Sequence, residues 1–220
     1  MASPMVKICG LRSSEHALVA AAAGADLLSF NFIEGVRRQL QPAEGRSILS
    51  GYRAAHGPGG PRAVGLFLNQ PASFVNEVSA SAGLDLAQLC GNESPEYAAL
   101  IEIPTLKQVR VREGATPSQL RQVVEEELRH HEMIVLDRYD PATPGGAGIA
   151  FDWRAAEGVA DMPNVLLAGG LTPENVRTAI ASLHAWGVDV SSGVETGGVK
   201  DSEKIRAFIE AAHTPDRTIG

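Results

Sequence analysis

Cys9 closes the run Val-Lys-Ile-Cys at Val6–Cys9 and is followed at once by Gly10. A thiol so placed has two readings. Cysteine is among the most buried residue types and fills small apolar gaps. As a thiolate, with its pKa lowered from about 8.5 by cations or backbone dipoles, it is a base or nucleophile. Asp137 ends a second apolar run, Met133–Asp137. A carboxylate there either caps the following loop or serves as a general acid whose proton is retained by partial burial in an apolar mouth. Two glycine-rich turns, AGGLTPENV at Ala168–Val176 and SSGVETGGVKD at Ser191–Asp201, follow the last two apolar runs. In them Gly169, Gly170, Ser192 and Gly193 can offer backbone N–H groups to a phosphate, although glycine also serves ordinary tight turns. Arg38, beside Arg37 in the stretch Phe32–Pro42, is either a solvated surface arginine or a guanidinium fork for a planar carboxylate. The six histidines are scattered without a His-x-x-x-His pair, so no metal is expected. His130 and His131 fall at the C-terminus of a predicted helix, where the macrodipole accounts for them.

These residues need a frame that brings them together. Short apolar runs predict strands at Val6–Cys9, Leu27–Phe32, Ala63–Leu68, Leu86–Leu89, Thr105–Val111, Met133–Asp137, Val165–Ala168 and Val188–Val190. Between and after them, Ser14–Ala23, Pro42–Ala54, Pro71–Ala82, Pro95–Ile101, Pro117–His130, Phe151–Gly158, Thr172–Ala185 and Ser202–His213 read as helices. Several begin at proline, whose missing N–H costs nothing in a first helical turn. Eight β/α repeats fit an α/β fold, either an open doubly wound sheet or a closed (β/α)8 TIM barrel. The open sheet normally carries a Gly-x-Gly-x-x-Gly turn after its first strand, whereas here that turn is CGLRSSE with one glycine. The barrel is therefore preferred, and it places the chemistry at the C-terminal strand ends. Cys9, Arg38, Cys90, Asp137, both glycines at 169–170 and the 191–193 turn all fall at or just beyond such ends.

The 220 residues suit one barrel domain spanning 1–220. The formal net charge is −7 and the basic residues are dispersed, which argues against nucleic acid as a partner. Cys9 and Cys90, the only cysteines, are too few for a disulfide framework and fit a reducing compartment. The N-terminal stretch MASPMVKICG has no signal-peptide pattern, and no apolar run approaches the roughly 20 residues that span a bilayer, so the chain is read as cytoplasmic with no membrane partner.

Over nearly its whole length the sequence resembles the phosphoribosylanthranilate isomerase family of tryptophan biosynthesis. The likeness rests on VKICG at Val6–Gly10, GLFLNQ at Gly65–Gln70, LDLAQLCGNESPEY at Leu84–Tyr97, IVLD at Ile134–Asp137, FDW at Phe151–Trp153, AGGLTPENV at Ala168–Val176, DVSSGVE at Asp189–Glu195 and GVKD at Gly198–Asp201. The resemblance implies a cofactor-independent Amadori rearrangement of N-(5-phosphoribosyl)anthranilate to 1-(2-carboxyphenylamino)-1-deoxyribulose 5-phosphate. It implies Cys9 as general base, Asp137 as general acid, and Gly169, Gly170, Ser192 and Gly193 as the phosphate site. Arg38 matches the arginine that receives the anthranilate carboxylate, with Arg37 as its alternative. The chain departs from the family pattern at Cys90, where histidine is usual, and at Ala147, Ile149 and Ala150, which replace two hydroxyls and an ammonium.

Three competing readings follow. A paralogue would keep the chemistry on a related phosphoribosyl-amine. A non-catalytic barrel would only bind a phosphorylated ligand. A Schiff-base lyase would need one of Lys7, Lys107, Lys200 or Lys204. A monomer and a homodimer are both compatible with the sequence, and the expected partner is a small phosphorylated sugar.

Overall fold

The structure is a computed structural model, and it describes residues 3–138 and 153–214. Eight parallel strands close into a barrel in chain order: β1 (Met5–Ile8), β2 (Leu27–Asn31), β3 (Arg62–Phe67), β4 (Leu86–Leu89), β5 (Thr105–Val111), β6 (Met133–Arg138), β7 (Val165–Leu167) and β8 (Gly187–Val190). Closure is made by β8 against β1, with Lys7 opposite Asp189 and Ile8 opposite Val190. Helices α1 (Ser14–Ala23), α2 (Pro42–His56), α3 (Ala72–Ala82), α4 (Pro95–Ala98), α5 (Pro117–Glu127), α6 (Val176–Leu183) and α7 (Ser202–His213) connect and cover the strands. The predicted barrel is thus the observed one, with every strand placed to within about two residues, the ordinary uncertainty of element ends.

Alternation along the strands divides the core in two. Leu27, Val64, Leu66, Leu86, Leu106, Met133, Val135 and Leu166 form the cluster inside the barrel. Their neighbours, among them Val6, Ile8, Leu28, Phe30, Phe67 and Val188, pack outward with the helices. Local chemistry sets the helix ends. Ser13 accepts from the His16 N–H to cap α1, and Gly24 closes it in a left-handed conformation at φ 101°. Thr116 and Gln119 form a reciprocal capping box ahead of Pro117 at the start of α5. Asp201 accepts from the N–H groups of Glu203 and Lys204 to start α7.

The helix predictions err where other bonds take over. After Ala98 the chain tightens into i,i+3 bonds, Leu100 N–H to Tyr97 O and Ile101 N–H to Ala98 O, so the fourth helix is one turn. Pro173 does not start a helix. The Asn175 side chain accepts from the Thr172 N–H and donates to Gly170 O, folding this stretch into a separate turn before α6. Of the sixth predicted helix, Phe151 and Asp152 lie outside the described residues, and the rest holds only a 3-10 turn at Trp153–Ala156. The macrodipole account of His131 is also corrected. Its Nδ1 lies 2.7 Å from Thr105 Oγ1, and burial together with the Lys107 and His130 charges pushes its pKa down to about 4, so no cation stands there at neutral pH.

Candidate active site

An open cavity of about 820 Å³, including its mouth, occupies the C-terminal end of the barrel. It gathers every residue singled out for chemistry: Cys9, Asp137 and Arg38, with Gly169, Gly170, Ser192 and Gly193. Cys9 follows β1 and is buried, its thiol free. Asp137 is the penultimate residue of β6, half-buried, and its Oδ2 accepts a 2.8 Å hydrogen bond from Gln108 Nε2 of the adjacent β5.

The glycine turns owe their form to a main chain that must approach without side chains. Gly169 and Gly170 both hold positive φ, 87° and 71°, a region costly for residues with a Cβ. A Cβ on Gly193 would overlap the Leu171 carbonyl oxygen, so the β7 and β8 turns can touch only because that residue is glycine. Ser192 and Gly193 open a 3-10 turn at Ser192–Val194. Main chain from both turns therefore lines the cavity beside the barrel seam.

Asp189 lines the cavity and belongs to a charged pair that composition could not show. Lys7 is fully buried, and its Nζ meets Asp189 Oδ1 at 3.0 Å. Burial opposes its charge, but the Asp189 carboxylate, through its charge and its hydrogen bond, leads the interactions that hold the Lys7 pKa above the ordinary lysine value. Period-two alternation from Cys9 would have placed Lys7 on the same inner face, a signal that sequence reasoning passed over.

Arg38 is anchored rather than free. Its Nε and Nη2 donate to the two oxygens of Glu195 at 2.6 and 3.0 Å. Arg37 Nη2 and Lys200 Nζ reach the same carboxylate at 2.6 and 3.0 Å. Burial raises the cost of that charge, yet the three cations draw the Glu195 pKa down to about 2. Glu195 and Lys200 belong to a small hairpin, β9 (Glu195–Thr196) and β10 (Val199–Lys200), and Lys200 Nζ also donates to Ser191 O at 2.7 Å. The hairpin thus ties the loop after β2 to the turn after β8. Arg37 is half exposed and does not line the cavity.

Cys90 lines the cavity opposite, buried, with Gln88 Nε2 donating to its sulfur at 3.4 Å. Burial pushes its thiol up to about 12, which keeps it protonated and suits a packing role. The departures at Ala147, Ile149 and Ala150 lie outside the described residues. No His, Cys, Asp and Glu cluster able to hold a metal occurs among the described residues, and no described helix is long and apolar enough to cross a membrane. Lysine chemistry is poorly served: Lys7 is paired with Asp189, Lys200 with Glu195, and Lys107 with Glu93 at 2.9 Å.

A closed barrel with a thiol, a carboxylate and two glycine turns around one cavity at the strand ends defines a (β/α)8-barrel enzyme. The family model "N-(5'phosphoribosyl)anthranilate (PRA) isomerase" matches residues 6–211. An N-(5'-phosphoribosyl)anthranilate isomerase of Roseiflexus castenholzii is 44% identical over 218 residues, 97% of this chain and 100% of its own. The crystal structure of the Thermotoga maritima enzyme agrees with a TM-score of 0.80 at 34% identity, covering 95% of this chain and 98% of that one. A PRA isomerase in complex with reduced 1-(o-carboxyphenylamino)-1-deoxyribulose 5-phosphate gives a TM-score of 0.77 at 32% identity, over 95% and 98% of the two chains. The chain belongs to the N-(5'-phosphoribosyl)anthranilate isomerase family and is an isomerase.

Proposed function

We propose that this cavity converts N-(5-phosphoribosyl)anthranilate to 1-(2-carboxyphenylamino)-1-deoxyribulose 5-phosphate with Asp137 as acid and Cys9 as base. Asp137 donates a proton to the furanose ring oxygen as its bond to C1′ breaks, leaving an iminium at C1′. Cys9 takes the proton from C2′, and the released electron pair forms the C1′–C2′ double bond while nitrogen regains its lone pair. The enolamine then gains a proton at C1′ and loses that of its 2′-hydroxyl, giving the ketone. Protons and electrons balance without a redox carrier or a metal. The phosphate rests on main chain of Gly169, Gly170, Ser192 and Gly193. Arg38 meets the anthranilate carboxylate with the Nη1/Nη2 edge that Glu195 leaves over.

What supports this reading is the convergence of all seven residues on a single cavity. The same chemistry on a related phosphoribosyl-amine is the second reading, favoured by the Cys90 thiol where the family carries histidine. The working setting is the cytoplasm, in keeping with two free thiols, within tryptophan biosynthesis. A monomer or homodimer is the expected assembly, and one solved relative from Thermotoga maritima is described as monomers generated from a dimeric isomerase. The direct test is turnover of N-(5-phosphoribosyl)anthranilate by Cys9→Ala and Asp137→Ala. Each is expected to lose activity by at least the 10²–10⁴-fold typical of acid–base groups, roughly, with the barrel intact. Near-normal turnover in either variant overturns its role. Failure of the well-folded parent to restore a tryptophan auxotroph would favour the second reading.

A further inference from the structure

The cavity holds a second guanidinium that the reaction scheme does not use. Arg110, the penultimate residue of β5, is exposed and lines the cavity wall. Its Cα is paired with that of Asp137 across the β5–β6 ladder. Among the described residues its hydrogen bonding amounts to one contact, Nη2 to Cys90 O at 3.1 Å. The other charged residues on the cavity wall already have partners: Asp189 has Lys7, Arg38 has Glu195 through two bonds, and Asp137 accepts from Gln108. Arg110 thus stands at the mouth, and among the described residues no carboxylate bonds to it.

Its place on the rim is informative. The strand order is circular, so the glycine turns after β7 and β8 face the β3–β4 side across the mouth. Arg38, in the loop after β2, and Arg110, on β5, flank that far side from its two edges. The bond to Cys90 O draws Arg110 toward the end of β4 and away from the turns. A substrate with a phosphate at one end and a carboxylate at the other, pinned by its phosphate at the turns, delivers the carboxylate between the two arginines.

We propose that Arg110 is a specificity-determining residue that grips the aryl carboxylate together with Arg38. This rests on the substrate reading above. A hydrogen bond to a charged group contributes about 1.5–3 kcal/mol, or roughly a ten- to hundredfold change in affinity.

The experiment measures calorimetric affinity of wild type, Arg110→Ala and Arg110→Lys for two compounds. One is reduced 1-(o-carboxyphenylamino)-1-deoxyribulose 5-phosphate, and the other is the same molecule with an unsubstituted phenyl ring. Arg110→Ala is expected to weaken the first by roughly ten- to hundredfold and leave the second unchanged, while Arg110→Lys recovers part of the loss through its point charge. Equal weakening of both compounds, or no weakening of either, overturns the assignment. Circular dichroism and melting confirm that the variants fold, as an exposed side chain on an otherwise buried strand allows. Failure of the substrate reading looks different: wild type then binds neither compound, or binds both alike, before any substitution is made, and the role of Arg110 falls with it.

Discussion

Replacing Lys7 with methionine removes one half of a charged pair from the barrel interior and leaves the other half in place. The ammonium is fully buried, the Asp189 side chain is 8% exposed, and the two meet at 3.0 Å. Breaking such a pair costs about 3–5 kcal/mol, because the remaining carboxylate keeps its desolvation penalty without its partner. Against a total stability of roughly 5–15 kcal/mol, that is a large fraction. In a chain of this size each kcal/mol moves the midpoint by about 2–4 °C, so the melting temperature should fall by roughly 6–20 °C. The sign with pH follows from the raised lysine pKa. The folded state holds this proton more tightly than the unfolded state, so the pair contributes fully below the ordinary lysine value and fades only in strong alkali. The assay is urea unfolding at pH 7 followed by circular dichroism for Lys7→Met, Asp189→Asn and the double variant. The double variant should recover part of the loss, since both partners are then neutral. A Lys7→Met protein within about 1 kcal/mol of wild type would refute the claim that the buried charge needs its partner.

Gly193→Ala forces a methyl group against the Leu171 carbonyl oxygen, so the two glycine turns must separate. It should raise KM and cost about 1–3 kcal/mol of stability, read by steady-state kinetics and urea titration. Cys90→Ala should keep turnover, because a thiol pushed up to about 12 moves no proton at neutral pH; a loss of roughly hundredfold in kcat/KM, the scale of an acid–base group, would contradict this. Acid should weaken the fold in a window set by His131, whose pKa falls from 6.5 to about 4 on folding. Burial and the neighbouring Lys107 and His130 outweigh the opposing pull of the Glu93 carboxylate. The unfolded chain takes up this proton first, so stability drops as pH falls through that interval, and His131→Gln should flatten urea midpoints measured across it.

The barrel was legible in the sequence because its strands are short apolar runs at regular spacing, and because helix starts carry local signals such as Ser13, Thr116 and Asp201. The placement of Cys9 and Asp137 on the cavity was legible because each ends such a run. Partnerships were not. Lys7 and Asp189 are 182 positions apart and meet only when β8 closes on β1. Glu195 lies 157 positions from Arg38, so nothing local predicts that the arginine is anchored. Gln108 and Arg110 sit on an ordinary amphipathic strand, and their turn toward Asp137 and Cys90 depends on ladder register. The helix ends at Ala98 and Val176 were missed because tight turns and the Asn175 side chain compete with helical bonding there.

A crystal structure with the reduced product analogue bound bears most directly on the chemistry. The phosphate should lie within hydrogen-bond distance of main-chain N–H groups of the 169–170 and 192–193 turns, with C2 of the ribulose chain beside the Cys9 sulfur and the oxygen descended from the ring facing Asp137. A phosphate seated elsewhere, or a sugar chain that touches only one of those two side chains, would contradict the assignment of base and acid.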